Sequence, residues 1–325
     1  LAWYRKRGEV EVRSLPDDKL VRTLTFGGNG HYLDFSADGS TLAVGTYGSR
    51  EVRRLDDPRP EPAETVFFDV ASGERKAVIP HPGDPPTFSQ AAFSADGRFY
   101  ALSAQRKDGP PKLRMWEVAT QKVVIDYEEP HRNPGHVAFS ADGRKLAHAG
   151  RPVVVFDTAT GRRKEMETPK MFVNHIALSA DGRILALAGE GGEIAIINTA
   201  TGQVAGQFRA YEFRAGPLAF VEGGKLLLAA GPTEDAIRAY DTKGKVTARI
   251  PHDAGIHPTL LRASSDGAYV LAKLYGMSKR FTIWRTPWGQ ASVPKKEARV
   301  EAKPETVARP FRVWKSADGR FSVEA

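Results

Sequence analysis

The 325-residue sequence predicts an all-β fold, a seven-bladed β-propeller whose blades are four-stranded antiparallel sheets. A short signature, Ala-Asp-Gly or a close variant, recurs along the chain at spacings of 39 to 58 residues. Each copy lies between two apolar runs, and the two chain ends read as complementary parts of one further unit. Repeats of about 40 to 50 residues are typical of four-stranded units, and such units arranged radially form a propeller.

The signature predicts a tight hairpin between the first two strands of each blade. The heptapeptide AFSADGR occurs at residues 92–98 and 138–144, and ALSADGR follows at 177–183. Asp-Gly between apolar runs favours a type I′ turn, in which both central residues have positive φ. Seven copies predict seven blades: Asp38-Gly39, Asp96-Gly97, Asp142-Gly143, Asp181-Gly182, Gly223-Gly224, Asp266-Gly267 and Asp318-Gly319.

The third and fourth strands follow each hairpin. Segments such as VVVFDTATG and IAIINTATG alternate β-branched residues and end in Asp or Asn before a Gly-containing turn, which suits a strand end. We therefore expect residues 1–325 to form one propeller domain. Its blades 1 to 6 are predicted at about residues 30–80, 88–130, 135–170, 172–210, 214–250 and 257–301.

The two chain ends predict how the ring closes. The N-terminal residues read as late strands without a hairpin signature, whereas FRVWKSADGRFSVEA at the C-terminus reads as a first strand, a turn and a shortened second strand. Blade 7 is therefore predicted to be a composite of about residues 1–25 and 307–325. Such an interlocked blade leaves no unpaired terminal sheet.

Composition limits the possible partners and compartments. The net charge of +8 comes from 47 basic and 39 acidic residues that are mixed along the chain, so we expect no nucleic-acid partner. No run is long and apolar enough for a membrane helix, and cysteine is absent. Because the chain begins with Leu1 and not Met, we expect an excised domain or a processed product. We also expect it to be a monomeric domain within a larger chain. A cytoplasmic location is favoured, and an extracytoplasmic one stays open.

These hairpins resemble those of the WD-repeat family in its bacterial form. The resemblance extends to the third-strand ends: Phe68-Asp69, Trp116-Glu117, Phe156-Asp157, Ile197-Asn198, Tyr240-Asp241 and Trp284-Arg285. It departs from the family because only two of these ends carry tryptophan, and neither tryptophan is followed by Asp. The resemblance implies a scaffold that binds proteins or peptides, generally without catalysis.

The family's buried hydrogen-bonded tetrad is incomplete in this sequence. The resemblance would put its histidine near His81, His131 and His252, but no Gly precedes any of them. Its turn aspartate is matched only by Asp108 and Asp235. We therefore expect apolar packing to carry more of the stability than in the family.

Breaks in the repeat mark the candidate binding residues. The innermost strands carry Ala before their Phe or Leu in blades 2 to 5, whereas the other blades carry charged or large residues there and nearby: Asp34, Arg262, Arg312, Trp314 and Lys315. These side chains could line the central channel and bind an anionic or carboxylate-bearing group. Alternatively, Asp34 pairs with Arg262 or Lys315 to fill a wider seam, and Trp314 is core.

A second candidate surface is the loop at residues 48–64. It carries Arg50, Arg53 and Arg54, and loops on a rigid scaffold commonly carry binding. The alternative is a solvated loop that its prolines stiffen.

No motif of a hydrolase, a metalloprotease or a nucleotide-binding enzyme is present, so we assign no catalytic residue and expect no cofactor. His136 and His175 occupy matched positions and could share a metal only with a third ligand, so no metal site is assigned. The leading hypothesis is a non-enzymatic protein or peptide scaffold. The alternatives are a lactonase- or hydrolase-type enzyme acting at the channel mouth, and a carbohydrate or cell-wall binding module.

Overall fold

The structure is a computed structural model. It describes residues 2–14, 19–36, 38–47, 63–81, 89–105, 109–130, 135–232, 236–251, 258–263, 269–274, 281–286, 312–315 and 321–324. These residues form two compact units. Unit 1 comprises residues 1–168, 180–185 and 197–203, and unit 2 comprises residues 169–179, 186–196 and 204–325.

Unit 1 contains four antiparallel sheets. Sheet N has three strands, β1 (Ala2–Lys6), β2 (Glu9–Arg13) and β3 (Leu20–Thr25). Sheet 1 has β4 (Asn29–Phe35), β5 (Thr41–Tyr47), β6 (Glu64–Asp69) and β7 (Arg75–Pro80). Sheet 2 has β8 (Ser89–Phe93), β9 (Phe99–Ala104), β10 (Lys112–Glu117) and β11 (Lys122–Glu128). Sheet 3 has β12 (Val137–Phe139), β13 (Lys145–His148), β14 (Val154–Asp157) and β15 (Arg163–Glu165).

Sheet 4 contributes residues to both units, and sheets 5 and 6 belong to unit 2. Sheet 4 has β16 (Val173–Leu178), β17 (Ile184–Gly189), β18 (Glu193–Asn198) and β19 (Val204–Arg209). Sheet 5 has β20 (Leu218–Val221), β21 (Leu226–Ala229), β22 (Ala236–Asp241) and β23 (Val246–Pro251), with a 3₁₀ turn at Glu222–Gly224. Sheet 6 has β24 (Pro258–Ala263), β25 (Tyr269–Leu274), β26 (Phe281–Arg285), β27 (Arg312–Lys315) and β28 (Phe321–Glu324). In the part of the chain that the structure describes, no helix is long and apolar enough to cross a membrane.

The cores explain why the sheets lie side by side. One apolar cluster combines residues of sheets N and 1, a second those of sheets 1 and 2, and a third those of sheets 2 and 3. In unit 2, a further cluster combines residues of sheets 5 and 6. Sheet 2, for example, buries Tyr100 and Trp116 toward sheet 1, and Leu113 and Met115 toward sheet 3. Because two faces of one sheet are apolar, it needs a neighbour on each side.

The hairpins are present, but their turn type differs from the predicted type I′. Gly97, Gly143 and Gly182 have φ of +68°, +68° and +67°, whereas no described Asp has a positive φ. The Gly97 N–H donates to the Ser94 carbonyl at 2.9 Å, and the Ser94 N–H donates to the Phe99 carbonyl at 2.9 Å. The loop is therefore built on a type I turn with a left-handed glycine at its end, which leaves the Asp in an ordinary conformation.

The serine before the turn explains why the sequence repeats it. The Ser94 hydroxyl donates to Asp96 Oδ1 at 2.5 Å and accepts from the Phe99 N–H at 2.9 Å. Asp96 Oδ1 in turn accepts from the Arg98 N–H at 3.0 Å. Ser36, which follows β4 of sheet 1, and Ser140, which follows β12 of sheet 3, make the same bonds in their hairpins. Ser-Ala-Asp-Gly is thus a structural unit in which a buried serine and an exposed aspartate satisfy the polar groups of the turn.

The composite blade predicted at residues 1–25 and 307–325 stays a prediction, and the structure describes the strands of each part separately. β28 pairs with β26, with Ile283 opposite Phe321 and Phe281 opposite Val323, and β27 pairs with β28. Strands β1, β2 and β3 form the three-stranded sheet N. The fourth strand expected before residue 301 lies outside the described residues. β28 supplies the hydrogen-bond partners that the second edge of β26 requires.

The left-handed glycine gives a test of the hairpin. Gly97→Ala should lower the free energy of unfolding by roughly 1 to 2 kcal/mol, because a left-handed conformation disfavours any side chain. An ideal Cβ at Gly97 would also lie 3.2 Å from Ser36 Cβ. Urea denaturation measures the change. The control is Gly27→Ala, since Gly27 lacks a positive φ and its Cβ would have no neighbour within 4 Å; equal losses in both variants would contradict this account.

Candidate functional site

Asp34, which the sequence places in the channel wall, is used by the fold. It lies in β4 at the position where blades 2 to 5 have Ala, and its side chain is half-buried. Its Oδ2 accepts a hydrogen bond from the Phe93 N–H of β8 at 3.1 Å. The carboxylate therefore satisfies a backbone donor of the neighbouring sheet.

The remaining predicted channel residues lie in unit 2. Arg262 is exposed, and its Nη1 donates to the Leu261 carbonyl at 3.3 Å. The backbone of Arg312, Trp314 and Lys315 forms β27, and their side chains lie outside the described residues. Binding at this cluster stays a prediction.

The structure describes no site at two further sets of residues that the sequence singled out. Arg50, Arg53 and Arg54 lie outside the described residues. His136 and His175 are half-buried, one in unit 1 and the other in unit 2. Across the described ranges, no group of three or more His, Cys, Asp or Glu residues could hold a metal ion.

A partly buried polar chain of sheet 1 contacts sheet 2. The Tyr32 hydroxyl lies 2.6 Å from Thr65 Oγ1, which lies 2.8 Å from His81 Nε2. The His81 ring contacts the Trp116 ring of sheet 2, with centroids 5.8 Å apart. The Tyr32 ring crosses Gly45, where an ideal Cβ would lie 2.0 Å from Tyr32 Cζ. Gly45 is therefore required because a neighbouring ring occupies the space of a side chain.

Burial sets the protonation of this chain. It raises the pKa of Tyr32 to about 12, so the hydroxyl keeps its proton. Burial, together with the nearby Arg114 charge, lowers the pKa of His81 to about 4. The imidazole is therefore neutral at physiological pH and can accept or donate one hydrogen bond to Thr65.

A second buried cluster joins sheet 2 to sheet 3. His148 Nε2 lies 2.8 Å from Glu129 Oε1, and the exposed fractions of the two side chains are 0% and 1%. The Ser103 hydroxyl donates to Glu129 Oε1 at 2.9 Å and lies 3.3 Å from His148 Nε2. The Gly135 N–H also faces Glu129 Oε1, at 3.4 Å. Among the described residues, Glu129 Oε2 and His148 Nδ1 have no hydrogen-bond partner.

This cluster contains the residue types of a hydrolase triad without its geometry. In a triad, the acid binds the imidazole nitrogen opposite the one that faces serine. Here Ser103 and Glu129 both contact Nε2 of His148, and Ser103 donates to the acid. All three side chains are buried, so the cluster does not present a nucleophile to a substrate.

The sequence contains a signal for this cluster. His148 in RKLAHAG takes the place of Leu187 in RILALAG, and the matched residues of sheets 1 and 2 are Val44 and Leu102. Glu129 directly follows the fourth strand of its sheet, as His81, Met166 and Ala210 do in theirs. The N–H of each of these residues donates to the carbonyl of the residue just before the third strand of the same sheet. A histidine in an apolar position thus marks His148 as unusual in the sequence, whereas its pairing with Glu129 comes from the structure.

The most exposed aromatic side chains described lie in unit 2. Phe172 precedes β16 and is 64% exposed, and Phe213 follows β19 and is 59% exposed. The other exposed large apolar residues described lie on or beside strands: Leu20, Val21, Val123, Val246 and Tyr269. Exposed phenylalanine is costly in water and is enriched in the cores of protein interfaces.

Backbone bonds attach both phenylalanines to the turn between β17 and β18. The Glu190 N–H donates to the Phe172 carbonyl at 3.1 Å. The Ala210 and Tyr211 N–H groups donate to the Gly192 carbonyl at 2.9 and 3.1 Å, and the Ala215 N–H donates to the Gly189 carbonyl at 3.0 Å. We call residues 170–172, 190–191 and 212–214 the Phe172–Phe213 surface.

Close packing at Gly192 fixes this surface. Gly192 has φ +85°, and its ideal Cβ would lie 2.0 Å from the Phe213 carbonyl oxygen and 2.2 Å from that of Tyr211. The buried Tyr211 hydroxyl donates to the Ala229 carbonyl at 2.6 Å, which joins the loop to sheet 5. The two aromatic rings are thus exposed on a backbone that several bonds hold in place.

The rim of the surface carries both signs of charge. Lys170, Glu190, Glu212 and Arg214 are all exposed. A polar rim around exposed apolar side chains is the usual composition of a protein interface.

These sheets and cores define the class of the protein, a β-propeller with about seven blades. Among solved structures, the chain is similar to the β-propeller domain of Cps50 (Swd1) from Myceliophteria thermophila. That likeness has a TM-score of 0.63 and 16% sequence identity, and covers 92% of this chain and 97% of the other. It confirms the predicted fold class. No family model matches the sequence, and comparison with curated proteins gives no match.

The interaction between Glu129 and His148 can be tested by replacing each residue with the one at the matching position of a neighbouring repeat. Glu129→Met copies Met166, and His148→Leu copies Leu187. Either change alone should lower the free energy of unfolding by about 3 to 5 kcal/mol, because it leaves a buried polar partner unpaired. The double variant should be close to the wild type or more stable.

Denaturant unfolding of the four proteins forms a double-mutant cycle. Costs that simply add in the double variant would show that Glu129 and His148 do not act as a pair.

Proposed function

We propose that this propeller is a non-enzymatic interaction module that binds an extended segment of a protein partner. The observation that carries the proposal is the exposure of Phe172 and Phe213 on one backbone-anchored surface. The resemblance of the hairpins to WD repeats, a family of binding scaffolds, supports the same function. A loop surface on a rigid sheet scaffold is a common place for binding residues.

The chemistry of the surface favours a peptide with apolar side chains. Two phenylalanine rings offer apolar area without a hydrogen-bonding group, so they bind aliphatic or aromatic side chains best. The charges on the rim have mixed sign, which gives no preference for a strongly charged ligand such as nucleic acid. Backbone groups of the bound segment can remain hydrated at this open rim.

A defined probe tests the proposal. A random-peptide display library is selected on the wild type, and the affinity of the recovered peptides is measured by calorimetry. Phe172→Ser/Phe213→Ser should weaken them by about tenfold or more, because central aromatic contacts typically carry over 1 kcal/mol each. The free energy of unfolding should change little, because both rings are exposed.

Val246→Ser is the matched control, since Val246 is an exposed apolar residue of the same unit but lies on β23. It should leave peptide affinity unchanged. Recovered peptides that bind the double variant as tightly as the wild type would refute this surface as the binding site.

A further inference from the structure

The turn between β17 and β18 holds a carboxylate beside the Phe172–Phe213 surface. Glu193 is the first residue of β18, and its side chain is half-buried. An ideal Cβ at Gly191 would lie 2.5 Å from Glu193 Oε2, and one at Gly189 would lie 3.0 Å from Glu193 Cδ. The side chain therefore lies back across the turn, and its carboxylate rests against Gly191, an exposed residue of that surface.

Two glycines leave room for this carboxylate. Neither Gly189 nor Gly191 has a positive φ, so the backbone of the turn does not itself require glycine at either position. A side chain at Gly191 would instead occupy the space of the Glu193 carboxylate. The turn is held in place, because the Gly192 and Ala215 N–H groups both donate to the Gly189 carbonyl, at 3.2 and 3.0 Å. The carboxylate thus has a fixed support and an uncovered side.

The described residues do not neutralise Glu193. Among them, its carboxylate forms neither a hydrogen bond nor an ion pair. Arg209 is the one basic residue of the neighbouring strand β19. Its guanidinium donates to two carbonyls of the loop that follows β19, at 3.2 and 2.7 Å. The neighbouring strand therefore supplies no cation to Glu193.

The charges around the two phenylalanines sum to a negative value. Lys170 and Arg214 equal Glu190 and Glu212 in number, and Glu193 adds one further negative charge. The chain as a whole carries a net charge of +8. A local charge of the opposite sign directs the choice of partner, because it attracts a cation of the partner and repels an anion.

We propose that the partner segment carries a lysine or an arginine next to its apolar side chains, and that Glu193 binds this cation. The inference rests on the proposed binding of a peptide at the Phe172–Phe213 surface, and it names the chemistry of that peptide. A cationic side chain donates charge-assisted hydrogen bonds to a carboxylate, and these are stronger than neutral ones. Its alkyl part can pack on a phenylalanine ring while its charged end reaches the carboxylate. The surface therefore fits a segment that is both apolar and basic.

The peptides recovered from the display library serve as the probes. Those that require Phe172 and Phe213 should contain lysine or arginine next to an apolar residue more often than the unselected library. Replacing that basic residue by glutamine should weaken binding about five- to tenfold in calorimetry, because a hydrogen bond to a charged group contributes more than a neutral one. The affinity of the unchanged peptide should also fall as the salt concentration rises.

Glu193→Gln makes the matching change in the protein, since it keeps the size of the side chain and removes its charge. It should weaken the basic peptide by about the same factor and leave the glutamine peptide unaffected. The two proteins and two peptides form a double-mutant cycle. The free energy of unfolding should change little, because the carboxylate has no bond to lose among the described residues.

Glu222→Gln is the matched control. Glu222 is an exposed acid of the same unit and lies in the 3₁₀ turn between β20 and β21. This variant should bind both peptides as the wild type does.

The outcomes separate this inference from the proposed function. Peptides that need both phenylalanines but tolerate both glutamine changes would overturn the inference and leave the proposed function in place. Losses that simply add in the cycle would also overturn it, because Glu193 would then act without contacting the basic residue. Peptides that bind Phe172→Ser/Phe213→Ser as tightly as the wild type would refute the proposed function, and this inference with it.

Discussion

Three of the inner hairpins approach the preceding hairpin so closely that a side chain at their glycine would be crowded, and the packing of their sheets depends on this contact. In three hairpins the glycine lies tightly against the serine of the preceding one: Gly97 against Ser36, Gly182 against Ser140, and Gly224 against Ser179. Each serine is buried and has its hydroxyl bonded within its own turn where such bonds are described. The left-handed glycine thus has two functions, since it completes the turn and allows the next sheet to approach. Apolar packing between the sheets requires that approach.

The sequence predicted the repeat and its strands because both have a local cause. Asp-Gly between apolar runs reports a hairpin through the chemistry of two or three residues, and the alternation of VVVFD or IAIIN reports a strand that packs on both sides. The turn type was wrong because the pattern was read from Asp and Gly alone. The conformation of Asp96 depends on hydrogen bonds made by Ser94, which lies two residues before it and was not part of that pattern. The pairing of β28 with β26 was not predicted, because strand pairing between distant segments has no local signal.

The candidate surface could not be predicted from the repeat. Phe172 and Phe213 lie in connections between sheets, where the repeat imposes no pattern, and an exposed Phe reads in sequence like a buried one. Asp34 shows what a break in the repeat leaves open. It interrupts an alanine column, and the structure shows its carboxylate accepting from the Phe93 N–H, while its part in ligand binding stays a prediction. The pair Glu129 and His148 could have been noticed, since His148 alone interrupts a column of apolar residues, but its partner becomes visible only when two sheets are placed side by side.

Gly45 has a consequence for how this chain can vary. It has no positive φ, so its own backbone would accept alanine, and the restriction comes from the Tyr32 ring that crosses it. Gly30 is in the same situation beneath the Tyr4 ring, whose hydroxyl donates to the Tyr32 carbonyl at 2.8 Å. Each tyrosine and its glycine therefore occupy one shared volume. A change at one position of a pair requires a compensating change at the other. Tyr32 and Gly45 should therefore vary together among related chains, and so should Tyr4 and Gly30.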